Sequence, residues 1–191
     1  MGRCKQLLPI NGEATITYCL GRIMAAGLTD IVVVLGHYRR EIEAALGDLP
    51  MRTVVNPAEE SEMAASVRLG LAALPRQVSG VMVALCDHPL VRPETYRQLQ
   101  RLHDMNPEEI LIPVHQGRGG HPTLFPRPLL QQVEETGRPL NRLLADHADL
   151  VWRVEVDDPG IVHDMDYQAD YLRLLELAGP RAGEQPNGAF E

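Results

Sequence analysis

The stretch Gly80-Val-Met-Val-Ala-Leu-Cys-Asp-His-Pro89 limits what this chain can fold into more than any other. Val81 to Cys86 is an unbroken apolar run. A strand with one wet face alternates apolar and polar residues. An unbroken run instead reads as a strand buried on both faces of a parallel sheet covered by helices. The run stops at Asp87, His88 and Pro89. In open α/β sheets ligands bind outside the carboxyl ends of the strands, so Asp87 is placed to hold a cation against a bound ligand. Asp87 also reads as a helix cap, but the next helix start, at Pro93, lies six residues on, beyond the reach of an N-cap.

Helices and strands alternate on either side of that run. After Glu13, Ile16, Leu20, Ile23 and Met24 recur at helical spacing, and Gly27 is placed to end the helix. Residues 31–35 are rich in β-branched side chains and close at Gly36. Residues 39–46 read as a short helix, and 51–55 as a strand cut off by Asn56-Pro57. Ser61 can cap a helix whose stripe is Met63, Val67, Gly70, Leu71 and Leu74. Pro93 opens a helix with Tyr96, Leu99 and Leu102 on one face. A strand over 109–114, a Gly-rich turn over 115–120 and a returning strand over 122–125 follow. Then come helices over 128–135 and 140–147, an edge or antiparallel strand over 151–156, and a last helix over 167–177. The first dozen residues read as a loop carrying Arg3 and Lys5. This order predicts an α/β sandwich around a largely parallel sheet, one domain over 1–178, with a tail from Gly179 of disordered composition.

A net charge of −8 argues against a general nucleic-acid binder or a membrane-surface protein. No apolar run approaches the ~20 residues that cross a bilayer, and nothing resembles a signal peptide. Cys4, Cys19 and Cys86 show no C-x-x-C pairing and fit a reducing compartment, so a cytoplasmic protein is expected. Four clusters carry possible chemistry: Arg3 and Lys5, Asp87, the turn Arg118-Gly-Gly-His-Pro122, and Asp164 with Asp166. Two separate carboxylate sites and a loop lysine suggest Mg²⁺ bound to phosphates, since Mg²⁺ takes one or two protein oxygens. Plainer readings stand beside these. Arg3 and Lys5 also read as solvated cations, Asp164 and Asp166 as helix-start residues, His121 as a surface histidine and Cys86 as a small core residue. The seven histidines lack zinc-ligand spacing.

The order of the motifs carries more than any one of them. M-G-R-C-K-Q-L-L-P, N-P, S-E-M-A-A-S-V-R-L-G-L, L-C-D-H-P, G-R-G-G-H-P-T-L-F and H-D-M-D together resemble the MobA-like nucleotidyltransferases, and within them the molybdenum cofactor cytidylyltransferases. The resemblance implies a Rossmann-like three-layer fold of the nucleotide-diphospho-sugar transferase type. It implies transfer of a nucleoside monophosphate from CTP or GTP to a pterin phosphate, with release of pyrophosphate and with Mg²⁺ as cofactor. By position it gives nucleotide-binding roles to Arg3, Lys5, Asn56, Ser66 and Asp87, and catalytic roles to Lys5 and Asp87. The metal falls to Asp87 and Asp164, the acceptor to Gly119, Gly120, His121 and Pro122. Implied partners are the nucleoside triphosphate, a molybdopterin-type acceptor, and a molybdenum hydroxylase or its maturation factor.

The sequence departs from that family in four places. Relatives carry a buried strand and a Gly-containing loop before the M-G at which this sequence starts, so an N-terminally incomplete domain is expected, from a start assigned too far downstream or from truncation. Glu62, Met63 and Ala64 replace a glycine-methionine-serine run, Tyr167-Gln168 replaces Thr-Pro, and His88 stands where glutamine is frequent. CMP transfer to molybdopterin is the expected reaction. GMP transfer, another phosphorylated acceptor, and a nucleotide-binding accessory protein of impaired activity are the alternatives.

Overall fold

The computed structural model describes residues 4–58, 63–137 and 139–179. Arg3, Ser61, Glu62 and the tail beyond 179 lie outside the described residues. The N-terminal stretch read as a loop holds a 3-10 turn at Lys5–Leu7 and a small antiparallel hairpin, β1 (Pro9–Ile10) with β2 (Glu13–Ala14), with Asn11 and Gly12 at positive φ between them. Tyr171 closes it by donating its hydroxyl to the Pro9 carbonyl at 2.6 Å.

The remaining elements follow the expected order. Helix α1 (Thr15–Ala25) leads to β3 (Val32–Leu35), α2 (Arg39–Leu46) and β4 (Arg52–Val55). Then come α3 (Met63–Ala73), β5 (Gly80–Val83), α4 (Pro93–Met105) and β6 (Ile110–His115). The second half adds β7 (Arg118–Gly119), β8 (Thr123–Pro126), α5 (Arg127–Thr136), α6 (Leu140–Asp146), β9 (Val151–Glu155) and α7 (Gln168–Ala178).

Pleating sorts the core into two faces. Leu111 and Leu124 pack with Tyr96 and Leu99 of α4, whereas their chain neighbours Ile110 and Phe125 pack with Leu71 of α3 and Leu130 of α5. Leu35 of β3 faces Ile16, Leu20 and Ile42 of α1 and α2. Helices therefore cover both sides of the sheet, as the continuous apolar runs require. The sheet is mixed: β8 runs antiparallel to both β5 and β6. β9 is an outer strand paired parallel to β6, where the alternation of 151–156 left edge and antiparallel arrangements open.

The central strand is shorter and wetter than its sequence suggests. β5 ends at Val83, and all four of its residues are half-buried. The cause is a seam in the sheet. Among the described residues β3 pairs only with β4, β5 pairs only with β8, and the two half-sheets share no ladder.

Candidate active site at the carboxyl ends of the strands

Lys5 links the ends of the described chain to its middle. The 3-10 turn aims the Lys5 ammonium at Asp87, in the loop after β5, with Nζ 3.1 Å from Oδ2. Nζ also lies 3.0 Å from Oδ1 of Asp166, just before α7. The three side chains are 31%, 23% and 56% exposed, so the cluster sits at a wet rim rather than in the core. Burial pulls the Lys5 pKa down, but the hydrogen bonds to Asp166 and Asp87 outweigh it and hold the ammonium above its ordinary range.

Two carboxylates around one ammonium leave this point net negative. Asp87 Oδ1 is buried and has no hydrogen-bond partner among the described residues. A buried carboxylate oxygen without a donor is costly, and a divalent cation taking one or two protein oxygens satisfies it. The donor set therefore fits a hard cation at Asp87. Asp164, expected as the second carboxylate, is exposed, and the carboxylates that meet Lys5 are Asp87 and Asp166. No group of three or more His, Cys, Asp or Glu side chains forms a metal cage among the described residues.

The Gly-rich turn reaches the same place. The His88 and His121 rings are tilted against each other with centroids 5.0 Å apart, bringing the expected acceptor turn beside Asp87. The Nδ1 atoms of both rings are buried without a hydrogen-bond partner among the described residues. Burial, helped by the His88 ring, keeps the His121 imidazole below its ordinary pKa. Backbone contacts fix the turn: Gly120 N–H donates to Pro113 O at 2.9 Å, and His121 N–H to Ile161 O at 3.0 Å. A side chain on Gly120 would place Cβ 2.0 Å from the Ile161 carbonyl oxygen, so this close approach needs glycine. Pro122 is buried, while Gly119 is exposed in β7.

A cavity of about 510 Å³ opens next to the Lys5 cluster, lined by Cys4, Lys5, Cys86 and Asp166, and by Gly36, His37 and Tyr38 at the end of β3. That is the size of a small-ligand site. Sequence reasoning missed Gly36 to Tyr38; the carboxyl-end rule applied to β3 as well as β5 points to them. Asn56 and Ser66 meet each other, Asn56 Nδ2 donating to Ser66 Oγ at 3.1 Å, but neither lines this cavity. The residue that ties down the far side of the site was also missed. Asp158, 2% exposed, accepts from Arg92 N–H at 2.7 Å, Thr95 Oγ1 at 2.6 Å and Gly160 N–H at 2.9 Å. It caps α4 from across the molecule, a role sequence distance conceals.

Residues 1–150 match the family model described as MobA-like NTP transferase domain. The structure of Rv0371c from Mycobacterium tuberculosis H37Rv is 30% identical, with a TM-score of 0.80 and 92% and 91% of the two chains covered. A nucleotidyl transferase from Methanothermobacter shares the fold at 24% identity and a TM-score of 0.78, covering 91% and 84%. The molybdenum cofactor cytidylyltransferase of Escherichia coli K12 is 24% identical over 181 residues, 92% of this chain and 89% of that protein. The bifunctional protein GlmU of Streptomyces avermitilis is 30% identical over 204 residues, and the chain spans only 41% of its length. A second GlmU, from Desulfitobacterium hafniense, is spanned over 23%.

Proposed function

The chain belongs to the MobA-like NTP transferase family, and from that premise we propose that it moves CMP from CTP onto a molybdopterin-type acceptor, releasing pyrophosphate. The observation that carries this reading is the Lys5–Asp87–Asp166 cluster, at the carboxyl ends of the strands beside a ligand-sized cavity, with Asp87 Oδ1 left open. Likeness to a molybdenum cofactor cytidylyltransferase supports the acceptor and the base. A manganese complex of Rv0371c supports a divalent cation, for which Mg²⁺ is the proposed physiological choice.

Transfer at phosphorus asks the protein for position and charge more than for covalent chemistry. An acceptor phosphate oxygen, already anionic, forms the new bond to the α-phosphorus. The bond from that phosphorus to the bridging oxygen breaks, and its electron pair leaves with pyrophosphate. No strong general base is needed. Asp87 would hold a divalent cation, and Lys5 would stabilise the leaving pyrophosphate. A bound divalent cation supplies positive charge over the phosphate oxygens. Asp164 stands as the proposed second metal carboxylate, and Asp166 as the group that orients Lys5. His121 and its turn face the acceptor, Arg3 adds charge for the triphosphate, and Asn56 and Ser66 bind the nucleotide.

The test is to incubate the protein with each nucleoside triphosphate, Mg²⁺ and pterin acceptor and to weigh the products. A cytidylylated acceptor with equimolar pyrophosphate is the expected result. A guanylylated product, or nucleotide binding without any product, replaces this reading with GMP transfer or with an accessory role.

A further inference from the structure

The Gly-rich turn meets the Asp87 loop through His121, and Arg118 stands at its other end, exposed in β7. Around that end the fold gathers positive groups from distant parts of the chain. His115 closes β6 and pairs with Arg118 in the ladder. Arg153 of β9 runs alongside Gly119, its Nη1 3.3 Å from where a Cβ would stand. Arg173 comes from α7, and His163 from the segment before that helix. Burial first, then the charges of Arg173, Arg118 and His115, hold the His163 imidazole below its ordinary pKa range, so all three act on it. Asp164 acts in the opposite sense, and more weakly than either arginine.

Like charges brought together repel unless something negative completes them. Elsewhere Arg52, Arg92 and Arg97 each lie against a carboxylate. The side chains of Arg118, Arg173 and His163 make no hydrogen bond or ion pair among the described residues, and the buried Nδ1 of His163 is left without a partner. Solvation accounts for the exposed guanidinium groups but not for that ring nitrogen. We infer that Arg118, Arg173 and His163 form a binding site for an oxyanion of the phosphate class, with His115 adding to the field. Guanidinium forks suit such a group because they donate to two of its oxygens at once.

The frame of this site is tied to the transfer site. His121 N–H on the Ile161 carbonyl, at 3.0 Å, fastens the Gly-rich turn to the segment that carries His163. Three residues separate Arg118 from His121, and three separate His163 from Asp166. Since three extended residues span at most ~11 Å, the oxyanion lies on the order of 10 Å from the Lys5 cluster. On the transfer reading above, on which this step rests, the oxyanion is a second anionic group of the acceptor, remote from the phosphate that receives the nucleotide.

Inorganic phosphate titrated into the full chain by calorimetry, without nucleotide or metal, tests the site itself. The natural chain should bind phosphate, and Arg118→Gln and Arg173→Gln should each weaken binding about tenfold or more. Arg101→Gln, on the exposed side of α4, and Lys5→Ala should keep it. No binding by the natural chain overturns the inference. So does binding that survives both arginine variants and is lost in Lys5→Ala, which places the anion at the pyrophosphate position. Turnover with the pterin acceptor then identifies the source of the oxyanion. Arg118→Gln should raise the acceptor KM about tenfold with kcat little changed. An unchanged acceptor KM in a variant that has lost phosphate binding overturns the acceptor assignment and makes the site one for a free anion. A chain that binds phosphate through Arg118 but forms no nucleotidylated product supports the oxyanion site and overturns the transferase reading instead.

Discussion

Lys5 joins two carboxylates that lie 82 and 161 residues away in sequence, and the proposed reaction turns on it. Lys5→Ala should lower pyrophosphate release by roughly 100-fold while leaving the melting temperature nearly unchanged, since an exposed ion pair contributes little to stability. Steady-state kinetics and a thermal scan check both halves. Asp164 and Asp166 separate by their metal response. If Asp164 completes the cation site, Asp164→Asn raises the Mg²⁺ needed for half-maximal rate about tenfold or more, and Asp166→Asn lowers the rate at saturating Mg²⁺ by acting through Lys5. The reverse pattern transfers the metal role to Asp166. Sequence pointed to the His-Asp-Met-Asp segment but not to which carboxylate meets Lys5. Between them Met165 is fully buried with Leu90 and Leu174, which anchors the segment.

At the scale of elements, what was legible followed local chemistry. Helix α2 falls on residues 39–46 because Ile42 and Leu46 mark one buried stripe and Gly47, at positive φ, ends it. Strand β4 stops where Asn56-Pro57 breaks the ladder. What was not legible depended on partners distant in sequence. The alternation in 151–156 reports an outer strand with one wet face, but only pairing with β6 makes it parallel. Met63, placed on the apolar stripe of α3, is 49% exposed because it sits in the first turn, past the edge of the core. Asp158 has no sequence signal, yet it accepts hydrogen bonds from two donors at the start of α4 and from Gly160 N–H. Asp158→Ala should therefore cost about 3 kcal/mol, read as a drop in urea midpoint at unchanged slope. Gly120→Ala should cost a similar amount or more by forcing the Gly-rich turn off Ile161.

Over the whole molecule, layering was readable from alternating apolar runs, whereas the seam was not, since it arises from which strands fail to meet. Stability also carries a pH signature. Burial holds the His103 imidazole below its ordinary pKa, with Ser79 Oγ 3.1 Å from Nε2. The unfolded chain therefore takes up this proton first as pH falls. The contribution is present above the ordinary histidine value of about 6.5 and is lost as pH drops through the lowered folded value. The urea midpoint should fall as pH drops below about 6.5, and less steeply in His103→Gln, which keeps a hydrogen-bonding group near Ser79. A cation held by Asp87 under a nucleotide's phosphates is the centre of the proposed reaction. The most direct test titrates Mn²⁺ by electron paramagnetic resonance in the presence of CTP, comparing the natural chain with Asp87→Asn. CTP should tighten Mn²⁺ binding in the natural chain, and Asp87→Asn should abolish that tightening without unfolding the protein. Equal CTP-dependent binding in both would contradict it.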